Sequence, residues 1–269
     1  MLEAQSFGSE NYSGKSYGKS NEESSFLYDP MYTMKTTING QLLLSMLIEE
    51  IILNTDSILL QGNTDGATFR LPRIQLDKCL SICKEWESKT KLMLEYSYYK
   101  MMAIRDVSTY LAVYENGEIK HKNAFEIDKE LYKNPSMRIV PIALEKYYVE
   151  GIPVEKTIKE HEDIFDFCLM TRCSKQFDLY YYTLENSKIK KTKLSKTNRY
   201  FASKKGGTLF KIDENGKETG VLVGQSVTLF NKKYDVPFKE YNIDYNFYIN
   251  ECYKIINEIE PREEQLSLF

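Results

Sequence analysis

The chain has 269 residues and a mass of 31.5 kDa, room for one to three compact units at roughly 100–200 residues each. With 42% hydrophobic and 28% charged residues it can build a packed core. It shows no run near the roughly 20 apolar residues of a membrane span, no signal-peptide layout in MLEAQSFGSENYSGK, and five cysteines without secretory context, which excludes integral membrane, secreted and disulfide-scaffold classes. The net charge is −3, yet residues 186–217 hold nine Lys and Arg199 against only Asp213 and Glu214, a block of +8 in an otherwise acidic chain.

The first 25 residues, rich in Ser, Gly, Asn and Glu, are expected to be irregular, and Tyr28-Asp29-Pro30 is a turn signal. Thr37 is placed to cap a helix from about Ile38 to Leu53, whose dense apolar positions predict burial. Ser57–Gln61 and Ala67–Leu71 read as two strands joined by the tight turn Asn63-Thr64-Asp65-Gly66. Leu76–Trp86 fits a second helix with Leu76, Cys79, Leu80, Cys83 and Trp86 on one stripe. Strands are expected at Leu92–Tyr98, Met101–Arg105 and Thr109–Tyr114, the last turning at Glu115-Asn116-Gly117 and returning over Glu118–Phe125. Ile139–Glu150 and Val154–Cys173 look helical, with Gly151-Ile152-Pro153 between them. The basic block then alternates short strands with turns at Gly206-Gly207 and Asn215-Gly216, and Asp244–Ile259 closes the pattern as an amphipathic helix. The fold class is α+β with antiparallel strands, divided as 1–30, 31–138, 139–260 and 261–269. On charge alone the block is either a solvated hairpin or a polyphosphate-docking surface. The 21 Tyr suit base or sugar stacking beside lysines, although most belong to core and sheet.

The hairpin Ser57–Leu71 resembles the metal-binding palm hairpin of family B DNA polymerases, whose phage members often carry Asn-Thr-Asp-Gly at the turn. Further matches run in order. Ser16-Tyr17-Gly18-Lys19-Ser20-Asn21 resembles the tail of the fingers motif, and Phe26–Pro30 with Thr37–Leu42 resembles the entry to the palm helix. Leu94-Glu95-Tyr96, Tyr99-Lys100 and Arg105–Tyr110 resemble palm strands, and Lys120–Glu126 resembles a Lys-x-Lys-Gly segment with Asn123 in place of Gly. Lys196–Phe201 and Ser203–Gly207 resemble a thumb segment. The resemblance implies an antiparallel palm sheet with packed helices, then a thumb of helices and β-hairpins. It implies nucleotidyl transfer with Mg2+, in which Asp65 is the catalytic, metal-binding carboxylate and Tyr17 and Gly18 lie near the incoming dNTP. Tyr110, Lys120, Lys122, Lys196, Thr197, Asn198 and Arg199 would hold primer–template DNA through its backbone. Gln265, Leu266, Leu268 and Phe269 resemble a peptide that binds the bacterial sliding clamp, and the cytoplasm of a bacterial host is the expected location.

The departures are specific. The family's second metal carboxylate, in an Asp-x-x-Ser-Leu-Tyr-Pro-like motif, has no counterpart here, and neither do the fingers Lys or the exonuclease carboxylates. One Asp cannot hold two divalent ions against water, so the lone chain is expected not to polymerise and to need a separate amino-terminal polymerase part. The alternative is a non-catalytic module that grips primer–template duplex. Asn54-Thr55-Asp56-Ser57 mimics the metal motif by letter but follows a helix rather than a strand. Ser13-Gly14-Lys15-Ser16 and Gly18-Lys19-Ser20 lack the Gly of a phosphate loop. Cys79 with Cys83 reads as buried thiols, and His121 and His161 stand apart from any nucleophile motif.

Overall fold

The computed structural model describes residues 1–7, 13–64, 66–127, 136–231 and 236–260, with the backbone alone described for 2–7 and 13–16. The chain is α+β with antiparallel sheets. It forms two compact units, Met1–Lys120 and a second from His121 onward. The division therefore falls well before residue 138, and the leading segment belongs to the first unit.

In the first unit the elements are β1 (Leu2–Phe7), α1 (Ser13–Ser20), α2 (Pro30–Asn54), β2 (Ile58–Gly62), β3 (Gly66–Arg70), α3 (Leu76–Thr90), β4 (Met93–Asp106), β5 (Thr109–Tyr114) and β6 (Ile119–His121). They build one sheet in the order β2-β3-β1-β4-β5-β6. The irregular start expected from composition is corrected here. Leu2–Phe7 is an interior strand, antiparallel to both neighbours, with Leu2 opposite Phe69 and Tyr98 and Gln5 opposite Gly66 and Glu95. Pairing on both edges satisfies its backbone groups, a gain that local propensity in LEAQSF does not signal.

Helix α2 begins earlier than Thr37 suggested. Asp29 is its N-cap, with Oδ1 accepting from the Tyr32 N–H at 2.9 Å, and Pro30 takes the first helical position, where no N–H is needed. Thr37 lies inside the helix and its hydroxyl donates to the Thr33 carbonyl. By length and composition α2 could cross a membrane, contrary to the expectation that no run approaches that limit. One side of it is nevertheless core. Leu44, Leu47 and Ile51 pack with Ala67 and Phe69 of β3, Cys79, Cys83 and Trp86 of α3, and Leu94 of β4. Each large side chain buried there contributes about 1.5–3 kcal/mol, and Trp86 Nε1 donates to the Leu43 carbonyl at 2.9 Å, fastening α3 to α2. The expected strands at 92–98 and 101–105 are one strand, β4, with irregularities opposite β5 at Tyr99/Met101 and Ile104/Asp106. The return over Glu118–Phe125 is cut to β6 by a turn at Asn123–Phe125.

The second unit contains α4 (Ile139–Glu145), which continues as a π-helical turn to Glu150 and stops at Gly151 with φ +70°. There follow α5 (Val154–Glu160), α6 (Ile164–Phe167), β7 (Leu169–Arg172), β8 (Phe177–Glu185), β9 (Lys188–Lys193), β10 (Thr197–Asp213), β11 (Glu218–Gly220), β12 (Val227–Leu229) and α7 (Tyr245–Ile259). The helix expected over 154–173 is broken. Asp163 caps α6 by accepting from the Phe165 N–H, and the remainder pairs with β10 as β7, Arg172 opposite Thr197. Strand β10 organises the unit: its first half pairs with β7 and β12, its second half with β8 and β11. Gly206-Gly207 is not a turn but the stretch of β10 where these partners change. A Cβ on Gly206 would lie 2.2 Å from the Val227 carbonyl oxygen, and one on Gly207 2.2 Å from that of Tyr182. The glycines serve backbone-on-backbone packing. Asn215-Gly216 is the turn expected, with φ +82° at Gly216. Fully buried Tyr248 ties α7 inward, its hydroxyl donating to the Phe167 carbonyl at 2.7 Å and accepting from the Ala202 N–H at 2.9 Å.

Candidate functional site

The hairpin foreseen around residues 57–71 is present. β2 and β3 pair antiparallel, Leu59 opposite Phe69 and Gly62 opposite Ala67, with one register shift between Leu59 and Gln61. Its turn is closed by the Asn63 N–H donating to the Gly66 carbonyl at 2.9 Å and by the Gly66 N–H donating to Asn63 Oδ1 at 2.7 Å. The Asn side chain thus holds the turn through an Asx-type bond. Asp65 itself lies outside the described residues. β3 is buried from Gly66 to Phe69, so the base of the turn is fixed by the core. Among the described residues no group of three or more His, Cys, Asp or Glu is arranged to hold a metal ion. The described donors alone therefore do not fit a two-metal site.

The look-alike at 54–57 has a different structure. Thr55 ends α2, its N–H and its hydroxyl both donating to the Ile51 carbonyl at 3.0 and 2.7 Å. Asp56 is bracketed by Gln75, whose Oε1 accepts from the Asp56 N–H at 2.7 Å while Nε2 donates to Asp56 Oδ2 at 2.6 Å. Tyr17 and Gly18 lie on α1. The Tyr17 hydroxyl bonds the Thr37 hydroxyl at 2.7 Å, and Gly18 is exposed.

The Arg105–Tyr110 segment spans the end of β4, the turn at Val107-Ser108 and the start of β5. Asp106 Oδ1 accepts from the Ser108 N–H at 2.9 Å, and Arg105 bonds Asp106 and Thr109. Tyr110 is buried rather than displayed, beside Tyr99 and Ala112. Lys120 Nζ lies 5.6 Å from the Tyr110 ring centre and 5.8 Å from that of Tyr99, and it donates to the Tyr99 hydroxyl at 3.2 Å. Lys120 and Lys122 both fall within the strand expected over Glu118–Phe125. The structure ends β6 at His121, so Lys122 is an exposed residue beyond the strand.

The basic block separates into two kinds of cation. Lys190 pairs with Glu185 at 3.1 Å, Lys191 with Glu218 at 3.0 Å, Lys193 with Asp178 at 2.6 Å and Lys196 with Asp178 at 3.0 Å. Hydrogen bonds from Lys193 and Lys196 hold the Asp178 carboxyl below its usual range, and those from Tyr182 and Lys191 do the same for Glu218. Lys196 also donates to the carbonyls of Lys175 and Phe177, so it closes a loop. Asn198 is buried, accepting from Asn231 and donating to the Ser195 carbonyl. Of the four neighbours proposed for DNA, Thr197 and Arg199 are exposed and make no such side-chain bonds among the described residues, Arg199 lying over the Phe165 ring at 5.5 Å. Lys204 and Lys205 are exposed on β10 and make no ion pair among the described residues. Sequence reasoning quoted them as part of a thumb-like segment without assigning them contacts. Lys204, Lys205 and Gly206 are exposed in succession after four buried residues, so no period-two pattern marks them in the sequence.

Cys79 and Cys83 are both fully buried in the α3 core. His121 Nε2 pairs with Glu145 at 2.5 Å and His161 Nε2 with Asp166 at 2.7 Å, so both histidines are structural partners of carboxylates. The clamp-like residues Gln265, Leu266, Leu268 and Phe269 lie outside the described residues. Compared with known protein families and with curated proteins, the chain matches none.

Proposed function

We propose that the chain is the palm–thumb portion of a DNA-directed DNA polymerase of family B type, acting in template-dependent nucleotidyl transfer with Mg2+. The observation that carries this reading is the closed turn at 63–66, between edge strand β2 and the core-buried strand β3, bearing Asp65 in sequence between Thr64 and Gly66. A carboxylate used to hold a divalent ion needs a short, rigid support of this kind. The ordered set of motif matches from residue 16 onward supports it independently. A second chain supplies the other carboxylate, and primer–template duplex runs along exposed Lys122, Arg199, Lys204 and Lys205. The terminal Gln265–Phe269 peptide binds a bacterial sliding clamp through its Leu and Phe side chains. The test is primer extension with Mg2+ by the chain alone and mixed with a polypeptide carrying an Asp-x-x-Ser-Leu-Tyr-Pro-like segment. Extension is expected from the mixture only. A silent mixture, or activity in the lone chain, overturns the reading.

One observation favours the second reading, a duplex-gripping module without catalysis: the exposed cations Lys122, Arg199, Lys204 and Lys205 would serve it without Asp65. It predicts sequence-independent, salt-sensitive duplex binding that survives loss of Asp65.

A further inference from the structure

We infer that α2 is a self-association surface, on which two copies of the chain pair antiparallel along Met31–Leu53 about a two-fold axis at Leu42. The core holds α2 by Leu44, Leu47 and Ile51. On the opposite side, Met31 (53% exposed), Ile38 (44%), Leu42 (57%), Met46 (60%) and Leu53 (73%) form a line. At about 100° per residue, all five fall within roughly 40° of one direction. Lys35 and Glu49 are the charged members of that line, both exposed and neither ion-paired among the described residues.

The order of residues on this face is a palindrome of chemical type about Leu42. Met31 and Leu53 are equidistant from it, as are Lys35 and Glu49, and Ile38 and Met46. A two-fold axis at Leu42 sets each residue against its match on the other copy. Apolar side chains then meet apolar ones at five levels along the seam, and each Lys35 ammonium meets a Glu49 carboxylate. Parallel pairing would put Lys35 against Lys35 and Glu49 against Glu49, so the charges select the antiparallel arrangement. Met31 to Leu53 spans roughly 33 Å at 1.5 Å per residue. Half-exposed side chains along that length bury on the order of 600 Å² per copy, the scale of a reversible interface. The pairing is independent of any polymerase activity.

Sedimentation equilibrium of the full chain tests the pairing, with a monomer–dimer equilibrium expected. Leu42→Glu, at an exposed position, should give monomer, leave circular dichroism unchanged and, at dilutions where the native chain is also monomeric, leave thermal unfolding unchanged. Lys35→Glu and Glu49→Lys should each weaken the dimer about tenfold, since either change breaks both symmetric pairs, and the double exchange should restore it. Because the five native cysteines are buried, Leu42→Cys should cross-link two copies under mild oxidation, whereas Thr36→Cys should not. A chain that stays monomeric overturns the proposal, as does a dimer indifferent to Leu42→Glu or a double exchange no better than its singles. Binding of the monomeric chain to phosphatidylcholine vesicles, lost in Leu42→Glu, would instead assign the face to a membrane and also overturn it.

Discussion

Two segments of the first unit spell Asn-Thr-Asp, and the molecule uses them in opposite ways. At 54–56 the letters end a helix: the Thr55 hydroxyl turns back onto the Ile51 carbonyl, and both the N–H and the carboxylate of Asp56 are taken by Gln75. At 63–66 the Asn side chain closes a hairpin turn onto the Gly66 N–H. The same contrast divides the lysines of the second unit. Among the described residues, Lys190, Lys191, Lys193 and Lys196 are answered by carboxylates, whereas Lys204 and Lys205 are not. What a residue can offer a ligand is set by what it already bonds, and short motifs carry no record of that.

The largest expected effect separates the two aspartates. In a reconstituted primer-extension assay, Asp65→Asn should lower the rate about a hundredfold or more, because loss of a metal carboxylate costs several kcal/mol of transition-state stabilisation. Asp56→Asn should leave the rate within about twofold, since an amide oxygen still accepts from Gln75 Nε2. Equal losses in both variants, or none in either, would erase the distinction.

A smaller effect should separate the lysines. Lys204→Ala with Lys205→Ala should weaken duplex binding about tenfold at moderate salt and flatten the salt dependence by roughly two units of log–log slope, as each phosphate contact contributes about 0.9. Lys190→Ala with Lys193→Ala should change the slope by less, because Glu185 and Asp178 already neutralise those ammonium groups. Binding titrations on two unrelated duplexes, from low to physiological salt, measure both quantities. An effect confined to one duplex would mean base reading rather than backbone contact. Smaller again, Gln75→Ala should cost about 1 kcal/mol in urea unfolding, since both its bonds to Asp56 go, while leaving reconstituted activity intact.

Much of the first unit was legible because its signals are local and periodic. The stripe Cys79, Cys83 and Trp86 is the core face of α3, and the strand–turn–strand pattern at 57–71 is a hairpin. What was not legible depends on distant partners. LEAQSF carries no strong strand signal, and it is a strand because β3 and β4 leave an opening that it fills. Residues 169–172 carry a helix-compatible pattern and pair with β10 instead. The Gly206-Gly207 dipeptide suggested a turn because glycine permits turns. Its use here is close approach to the Val227 and Tyr182 carbonyls, a requirement visible only once those strands are in place. The candidate site follows the same rule. Asn63 and Gly66 close their turn through neighbours three residues apart, whereas the burial of Asn198 and Tyr110 depends on packing that no spacing encodes.

The smallest expected effect tests whether the answered lysines are held by their acids. Asp178 is kept below the ordinary carboxylate range by hydrogen bonds from Lys193 and then Lys196, and the contact with Asp178 in turn holds the Lys193 ammonium above its ordinary value. A carboxyl depressed in the folded state stabilises it at pH values above its unfolded value, roughly 4, and that contribution disappears as the pH falls through the depressed value. An ammonium raised in the folded state contributes below its unfolded value, roughly 10.4, and loses the contribution as the pH rises through the raised one. The stability difference between the native chain and Asp178→Asn should therefore be flat from about pH 5 to pH 9 and shrink on both sides of that window. Lys193 and Lys196 are exposed and Asp178 is half-exposed, so the difference is small and salt should reduce it further. Urea unfolding midpoints of the two proteins across pH 3–11 give the curve. A difference that persists unchanged below pH 4 would show that Asp178 supports the fold through its shape rather than its charge, and that Lys193 is as available to a phosphate as Lys204 and Lys205.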